Sequence, residues 1–155
     1  MAPDAPPSGT FDWHLSLRAH PQLRPWLLPS AHKLPFEARV LNVGCGDSTL
    51  SEDLWDAGYA QVTGVDIEER CIAAARARTA DKPGLQWHTL DLAASTGLPA
   101  ELGSFALALD KGTLDALVCA GDEAACRAVW NVRHALRPGG VLVVVTLHRD
   151  GKVCT

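Results

Sequence analysis

Arg39-Val40-Leu41-Asn42-Val43-Gly44-Cys45-Gly46-Asp47-Ser48-Thr49-Leu50, followed by Val62-Thr63-Gly64-Val65-Asp66, is the stretch whose reading decides the fold. An apolar run ends in a glycine turn that opens a helix. A second apolar run ends in a carboxylate. Asp66 follows the glycine turn by about 20 residues, the spacing at which an acid on the next strand reaches ribose hydroxyls. Strand, turn, helix and strand in this order bind an adenosine-containing cofactor.

The alternation continues outward. Residues 39–43 and 61–65 read as the first two strands, and residues 85–90, 105–109 and 141–147 as three more. The last is nearly all β-branched or leucine, as suits a strand buried on both faces. Helices read over residues 50–57, closed by Gly58, from Asp66 to about Thr79, and over residues 114–136 with a break near Gly121. Thr49-x-x-Glu52 and Asp66-x-x-Glu69 fit capping boxes. Residues 29–35 read as a connector, residues 91–103 mostly as loop, and Arg137-Pro138-Gly139-Gly140 as a tight turn. Residues 1–9 form a Pro-rich leader expected to be disordered, and residues 11–28 one or two short helices on the edge of a single domain spanning residues 10–155. Strands alternating with helices give an α/β, doubly wound parallel sheet.

Bulk properties narrow the function. The 155 residues suffice for one core, and 47% are hydrophobic. A net charge of −4 carries no electrostatic footprint for nucleic acid or membrane. Arg70, Arg76 and Arg78 read as a solvated helix face. The five cysteines form no CxxC pair and read as free thiols in a reducing compartment, and the six histidines have no metal-ligand spacing. The N-terminus has neither a secretory signal nor the Arg-rich character of a transit peptide. The cytoplasm is the expected location ahead of the mitochondrion.

In a doubly wound sheet, ligands sit beyond the carboxyl ends of the strands. The residues there are the Gly44–Cys45–Gly46 turn, Asp66, Asp91 and Asp110-Lys111-Gly112. Asp66 is placed to accept ribose hydroxyls. Asp91 is placed to accept an adenine amino group, with Ile67 and Leu92 flanking the ring. A dinucleotide fingerprint needs a third glycine or alanine where Thr49 stands. A nucleotide P-loop needs Gly-Lys-Ser/Thr, which is absent. S-adenosyl-L-methionine needs a glycine turn, an acid for ribose, and an acid with apolar walls for adenine, and the chain supplies all three.

The run from Val40 to Ser48, with Asp66, Asp91 and above all Asp110-Lys111-Gly112-Thr113-Leu114-Asp115-Ala116-Leu117, resembles the class I S-adenosylmethionine-dependent methyltransferases, whose fold is Rossmann-like. Within them it is similar to the protein-lysine methyltransferases of the methyltransferase-like branch, which includes enzymes acting on elongation factor 1-alpha and on citrate synthase. Phe11-Asp12-Trp13 also looks like that branch. The resemblance implies that Gly44, with Cys45 and Gly46, lines the methionine moiety, and that Asp66 with Ile67 holds ribose and adenine. It implies that Asp91 with Leu92 frames the adenine, that Lys111 lies near the reacting end, and that Trp13 covers the cofactor. Cys45 itself reads as a small packing residue. Three features depart from the family. A Pro-rich leader replaces an aromatic helix, Asn42 replaces an acid, and the sheet stops after the fifth strand where class I sheets add two more.

Methyl transfer from a sulfonium needs alignment of two reactants rather than a protein nucleophile. The expected acceptor is a lysine side chain of a protein substrate, with Asp110 orienting the amine. Two other readings stand beside it: a non-catalytic S-adenosylmethionine-binding domain acting through protein contacts, and a small-molecule methyltransferase.

Overall fold

A computed structural model describes residue 17, residues 21–94 and residues 96–146. The element order begins with a 3-10 turn at Pro21–Leu23, helix α1 (Arg24–Leu27) and a second 3-10 turn at Pro29–His32. It continues with β1 (Val40–Val43), α2 (Leu50–Asp56), β2 (Val62–Asp66), α3 (Glu69–Arg78) and β3 (Leu85–Thr89). Then come β4 (Phe105–Lys111), α4 (Thr113–Ala120), α5 (Asp122–Ala135) and β5 (Leu136–Val145). The leader, residues 1–9, lies outside the described residues.

The strands form one parallel sheet in the order β3-β2-β1-β4-β5. Val40 registers with Val62 on one side and with Leu107 on the other. The chain steps outward from β1 to β3, then crosses back to lay β4 on the opposite flank of β1. That reversal opens a crevice above the carboxyl ends of β1 and β4, where a ligand fits without displacing a crossover. The α/β doubly wound fold is the one the sequence pattern predicts.

Side chains alternate between two cores because strand residues point to opposite faces. Leu41, Val43, Val65, Phe105 and Ala108 pack with Leu114, Ala128, Val132 and Ala135 of α4 and α5. Val40, Val62, Leu107 and Leu109 pack on the other face with Leu50 and Leu54 of α2, Tyr59 and Leu17. Each fully buried Val or Leu contributes about 1.5–3 kcal/mol before chain entropy is counted. Ile72 and Ala75 of α3 close over Trp87, whose indole N–H donates to Thr79 Oγ1 at 2.9 Å.

Several expectations change in detail. β4 runs through Asp110 and Lys111, past the predicted end at Leu109. The tight turn expected at residues 137–140 lies inside β5 as a large bulge: Phe105 pairs with Leu136, whereas Leu107 pairs with Val141. Pro138 offers no N–H to a ladder and Gly139 takes φ 76°, so this segment leaves the register. β5 is not buried on both faces: residues 142–145 are half-buried and Val141 is 37% exposed, and among the described residues its one strand neighbour is β4.

Neither capping box forms as written. Ser48 Oγ accepts the Leu50 N–H at 3.2 Å, while Glu52 pairs with Arg78 on α3 at 2.7 Å. Asp66 Oδ1 accepts the Glu68 N–H, and Glu69 accepts instead from the Thr89 hydroxyl. The break at Gly121 is as predicted, since its φ of 142° and ψ of 144° suit glycine best. Cys45, Cys71 and Cys119 are free thiols, as expected, whereas Cys126 is disulfide-bonded. No helix among the described residues is long and apolar enough to cross a membrane.

Candidate active site

A cavity of about 540 Å³ opens along the carboxyl lip of the sheet. Its walls include Gly44, Cys45, Gly46, Asp66, Ile67, Asp91, Leu92 and Lys111, so the structure gathers these sequence-predicted positions around one space. Trp13 lies outside the described residues.

The β1–α2 turn forms the floor. The Cys45 N–H donates to the Val65 carbonyl at 2.9 Å, which ties the turn to β2. Gly44 (φ 61°) and Gly46 (φ 49°) need glycine for different reasons. A Cβ on Gly44 would stand 1.9 Å from Thr113 Oγ1, so the obstacle there is the protein itself. A Cβ on Gly46 would meet only Asp66 Oδ2, at 4.0 Å, and the space it would take belongs to the cavity.

Asp66 is held by two backbone amides: Oδ2 accepts from Gly46 at 2.7 Å and Oδ1 from Glu68 at 2.9 Å. Each oxygen keeps a second lone pair, and the orientation is fixed before a ligand arrives. Ile67 is 63% exposed and lines the cavity beside Asp66, so an apolar surface stands next to the fixed carboxylate. Leu92 is buried, and Asp91 Oδ1 accepts the Ala93 N–H at 2.8 Å. The carbonyls of Leu92, Ala93 and Ala94 are gripped from α5 by Asn131 and Arg127.

Asp110 differs from the others. It is 1% exposed and does not line the cavity. Its carboxylate accepts the N–H groups of Thr113, at 3.0 Å, and Leu114, at 3.2 Å, and so caps α4 from below. Burial raises its pKa from the ordinary carboxylate value to about 6, against the lowering effect of those amides. The side chain therefore acts on α4, which carries cavity residues, rather than on the cavity itself.

Gly112, expected at this lip, also lines the cavity, whereas the α4 wall beyond it, Thr113, Asp115, Ala116, Leu117 and Cys119, was not expected from sequence. Which face of a helix meets a cleft depends on its docking angle, which local periodicity does not encode. Thr113 Oγ1 donates to the Val43 and Gly44 carbonyls, locking α4 onto the end of β1. Asn42 is buried and donates to Ser51 Oγ at 2.9 Å, so it braces α2 against β1. Burial, followed by the charge of Asp66, pushes the Cys45 thiol well above its usual range, in keeping with a packing role. Burial and a hydrogen bond to Asp47 push Cys71 up to about 11. Among the described residues no group of His, Cys, Asp and Glu is placed to hold a metal ion.

The methyltransferase-domain family profile matches residues 40–140, from β1 to the β5 bulge. The chain belongs to this family, the class I S-adenosylmethionine-dependent methyltransferases. It is 45% identical over 114 residues to a zebrafish (Danio rerio) eEF1A lysine and N-terminal methyltransferase, covering 72% of this chain and 16% of that protein. It is 39% identical over 132 residues to the mouse (Mus musculus) EEF1A lysine methyltransferase 4, covering 83% of this chain and 45% of that protein. The chain thus spans less than half the length of either. The N-methyltransferase NodS from Bradyrhizobium japonicum, solved with S-adenosyl-L-homocysteine, superposes with a TM-score of 0.63 at 25% identity, over 81% of this chain and 58% of that one. The cofactor of this methyltransferase domain is S-adenosyl-L-methionine. The lining fits it: fixed carboxylates at the end of β2 and just beyond β3, apolar walls at Ile67 and Leu92, and an open glycine at position 46.

Proposed function

We propose that the chain binds S-adenosyl-L-methionine across the sheet lip and methylates the ε-amine of a lysine in a protein. The observation that carries this reading is the Asp66 carboxylate, fixed by the Gly46 and Glu68 amides beside an exposed Ile67. In this reading Asp66 accepts the ribose hydroxyls, Asp91 accepts the adenine amino group, and Ile67 and Leu92 cover the ring. The Gly44–Cys45–Gly46 turn lines the methionine portion, and Lys111 lies toward the reacting end with Trp13 covering it.

When bound, the cofactor supplies a methyl group on a sulfonium that leaves as a neutral thioether, so no general acid is needed. The chain's residues orient the reactants and exclude water, which lowers the barrier by removing translational freedom. Asp110 contributes by capping α4 and thereby setting that wall. A lysine acceptor must lose its proton before attack, and a desolvated pocket next to a positive charge favours the neutral amine. The lysine assignment is supported by the eEF1A lysine methyltransferases to which the chain is similar. Their substrate makes elongation factor 1-alpha the first protein to assay, and the cytoplasm the expected place of action.

The test is a labelled-methyl assay on cell lysate, with purified elongation factor 1-alpha as a second acceptor. A labelled protein band whose label maps to lysine is expected. A labelled small product would replace the protein-lysine reading. Cofactor binding with no transfer would make the chain a binding domain.

A further inference from the structure

The lip of the sheet has a direction. In strand order it runs from Asp91 beyond β3, through Asp66 on β2 and the glycine turn after β1, to Lys111 on β4 and Thr146 after β5. With the adenine at the carboxylates beyond β3 and at the end of β2, and the methionine portion along the glycine turn after β1, the sulfonium lies between them. The flank of the lip left open to its methyl group is that of β4, and an acceptor approaches from the β4–β5 side.

On that side the cavity wall presents Asp115, in the first turn of α4 and half-buried. Its Oδ1 accepts the hydroxyl of Thr146 at the end of β5, so one oxygen is oriented by a neighbouring element. Asp110, the other carboxylate of this region, is spent on capping α4 below the cavity. From this arrangement we infer that Asp115, held by Thr146, is the carboxylate that receives the ammonium group of the acceptor and positions its nitrogen toward the methyl group; the nitrogen attacks once its proton has passed to solvent water, the N–C bond forming as the S–C bond breaks and the thioether leaves neutral. The inference rests on the methyltransferase reading above and deepens it: the preferred acceptor is a primary amine that arrives as a cation. Asp115 is then a catalytic residue in the sense of touching substrate, and Thr146 a positioning residue.

Two matched probes test this without knowledge of the acceptor. Both are adenosyl-homoalanine analogues with nitrogen in place of sulfur. One carries a 2-aminoethyl arm, whose terminal ammonium stands for the acceptor amine; the other carries a neutral propyl arm. Calorimetry on the full chain is expected to show preference for the aminoethyl probe. Asp115→Asn should reduce that preference by about tenfold, the scale of one charge-assisted hydrogen bond, with S-adenosylhomocysteine affinity unchanged. Thr146→Val, which leaves the carboxylate in place, should reduce it by a smaller factor. Absence of preference in the unmodified chain, or a preference that survives Asp115→Asn, overturns the inference. Failure of S-adenosylhomocysteine itself to bind overturns the cofactor reading instead.

Discussion

The side-chain amide of Asn131, on α5, donates to the carbonyl of Leu92 at 2.8 Å and to that of Ala94 at 3.1 Å, in a setting where Asn131 is 1% exposed. Arg127, one helical turn earlier, reaches the Ala93 carbonyl at 3.3 Å. A helix outside the cavity lining thereby fixes the loop that carries Asp91 and Leu92. Asn131→Ala should strand two buried carbonyls and cost about 1–3 kcal/mol of stability. It should also weaken S-adenosylhomocysteine binding. Urea denaturation and calorimetry check both. Arg127→Ala, at a more exposed site paired with Glu123, should cost less on each count.

Gly44 and Gly46 separate stability from binding. Gly44→Ala drives a methyl group into Thr113 and breaks the lock between α4 and β1. It should cost several kcal/mol, about the upper range for overpacking. Gly46→Ala meets open space and should cost only the strain of a left-handed φ, about 1 kcal/mol, while obstructing the cofactor. Thermal melts and S-adenosylhomocysteine titrations of the two variants should rank in opposite order relative to the unmodified chain.

Asp110 gives the apo protein a specific pH signature. Its folded pKa, about 6, lies above the unfolded value of 3.8, so the native state holds a proton that the unfolded state has lost. Its contribution to stability is full below about pH 4 and is lost as pH rises to about 6, then stays flat. Asp110→Asn keeps an oxygen to accept the α4 amides and cannot titrate. The difference in unfolding free energy between the two proteins should therefore slope with pH between these values, by on the order of 3 kcal/mol in total. Denaturant melts across pH 4–8 measure it; a difference independent of pH contradicts the assignment.

Glu52 and Arg78 join α2 to α3 at 2.7 Å, with the Glu52 side chain 8% exposed and that of Arg78 29% exposed. Glu52 Oε2 and Arg78 Nη2 are buried without hydrogen-bond partners among the described residues. Arg78→Ala would leave a buried carboxylate unpaired and should cost about 1–3 kcal/mol after allowance for partial solvent access. Adding Glu52→Leu should restore most of it, because an apolar pair avoids the desolvation penalty. A double-mutant cycle by urea melts decides this.

The sheet was legible because short apolar runs end in a glycine after Val43 and in a carboxylate at position 66, and the helix break because Gly121 stands where α4 and α5 part. What escaped depends on distance in sequence. Glu52 looked like half of a capping box until Arg78, 26 residues on, came beside it. The bulge at residues 137–140 looked like a turn because Pro-Gly-Gly breaks any ladder, and only the β4 register shows that pairing resumes at Val141. Candidate positions on strand ends were readable because topology brings all strand ends to one lip. Asp115 was quoted in the motif, but its place on the cavity wall depends on how α4 docks, through Thr113, on β1.

The most direct measurement is a calorimetric titration of S-adenosylhomocysteine into the full chain and into its Asp66→Ala variant. One saturable site per chain is expected, weakened by about tenfold or more when the Asp66 carboxylate is removed, with the variant still folded by circular dichroism. No saturable binding, or equal affinity in the two proteins, would contradict it.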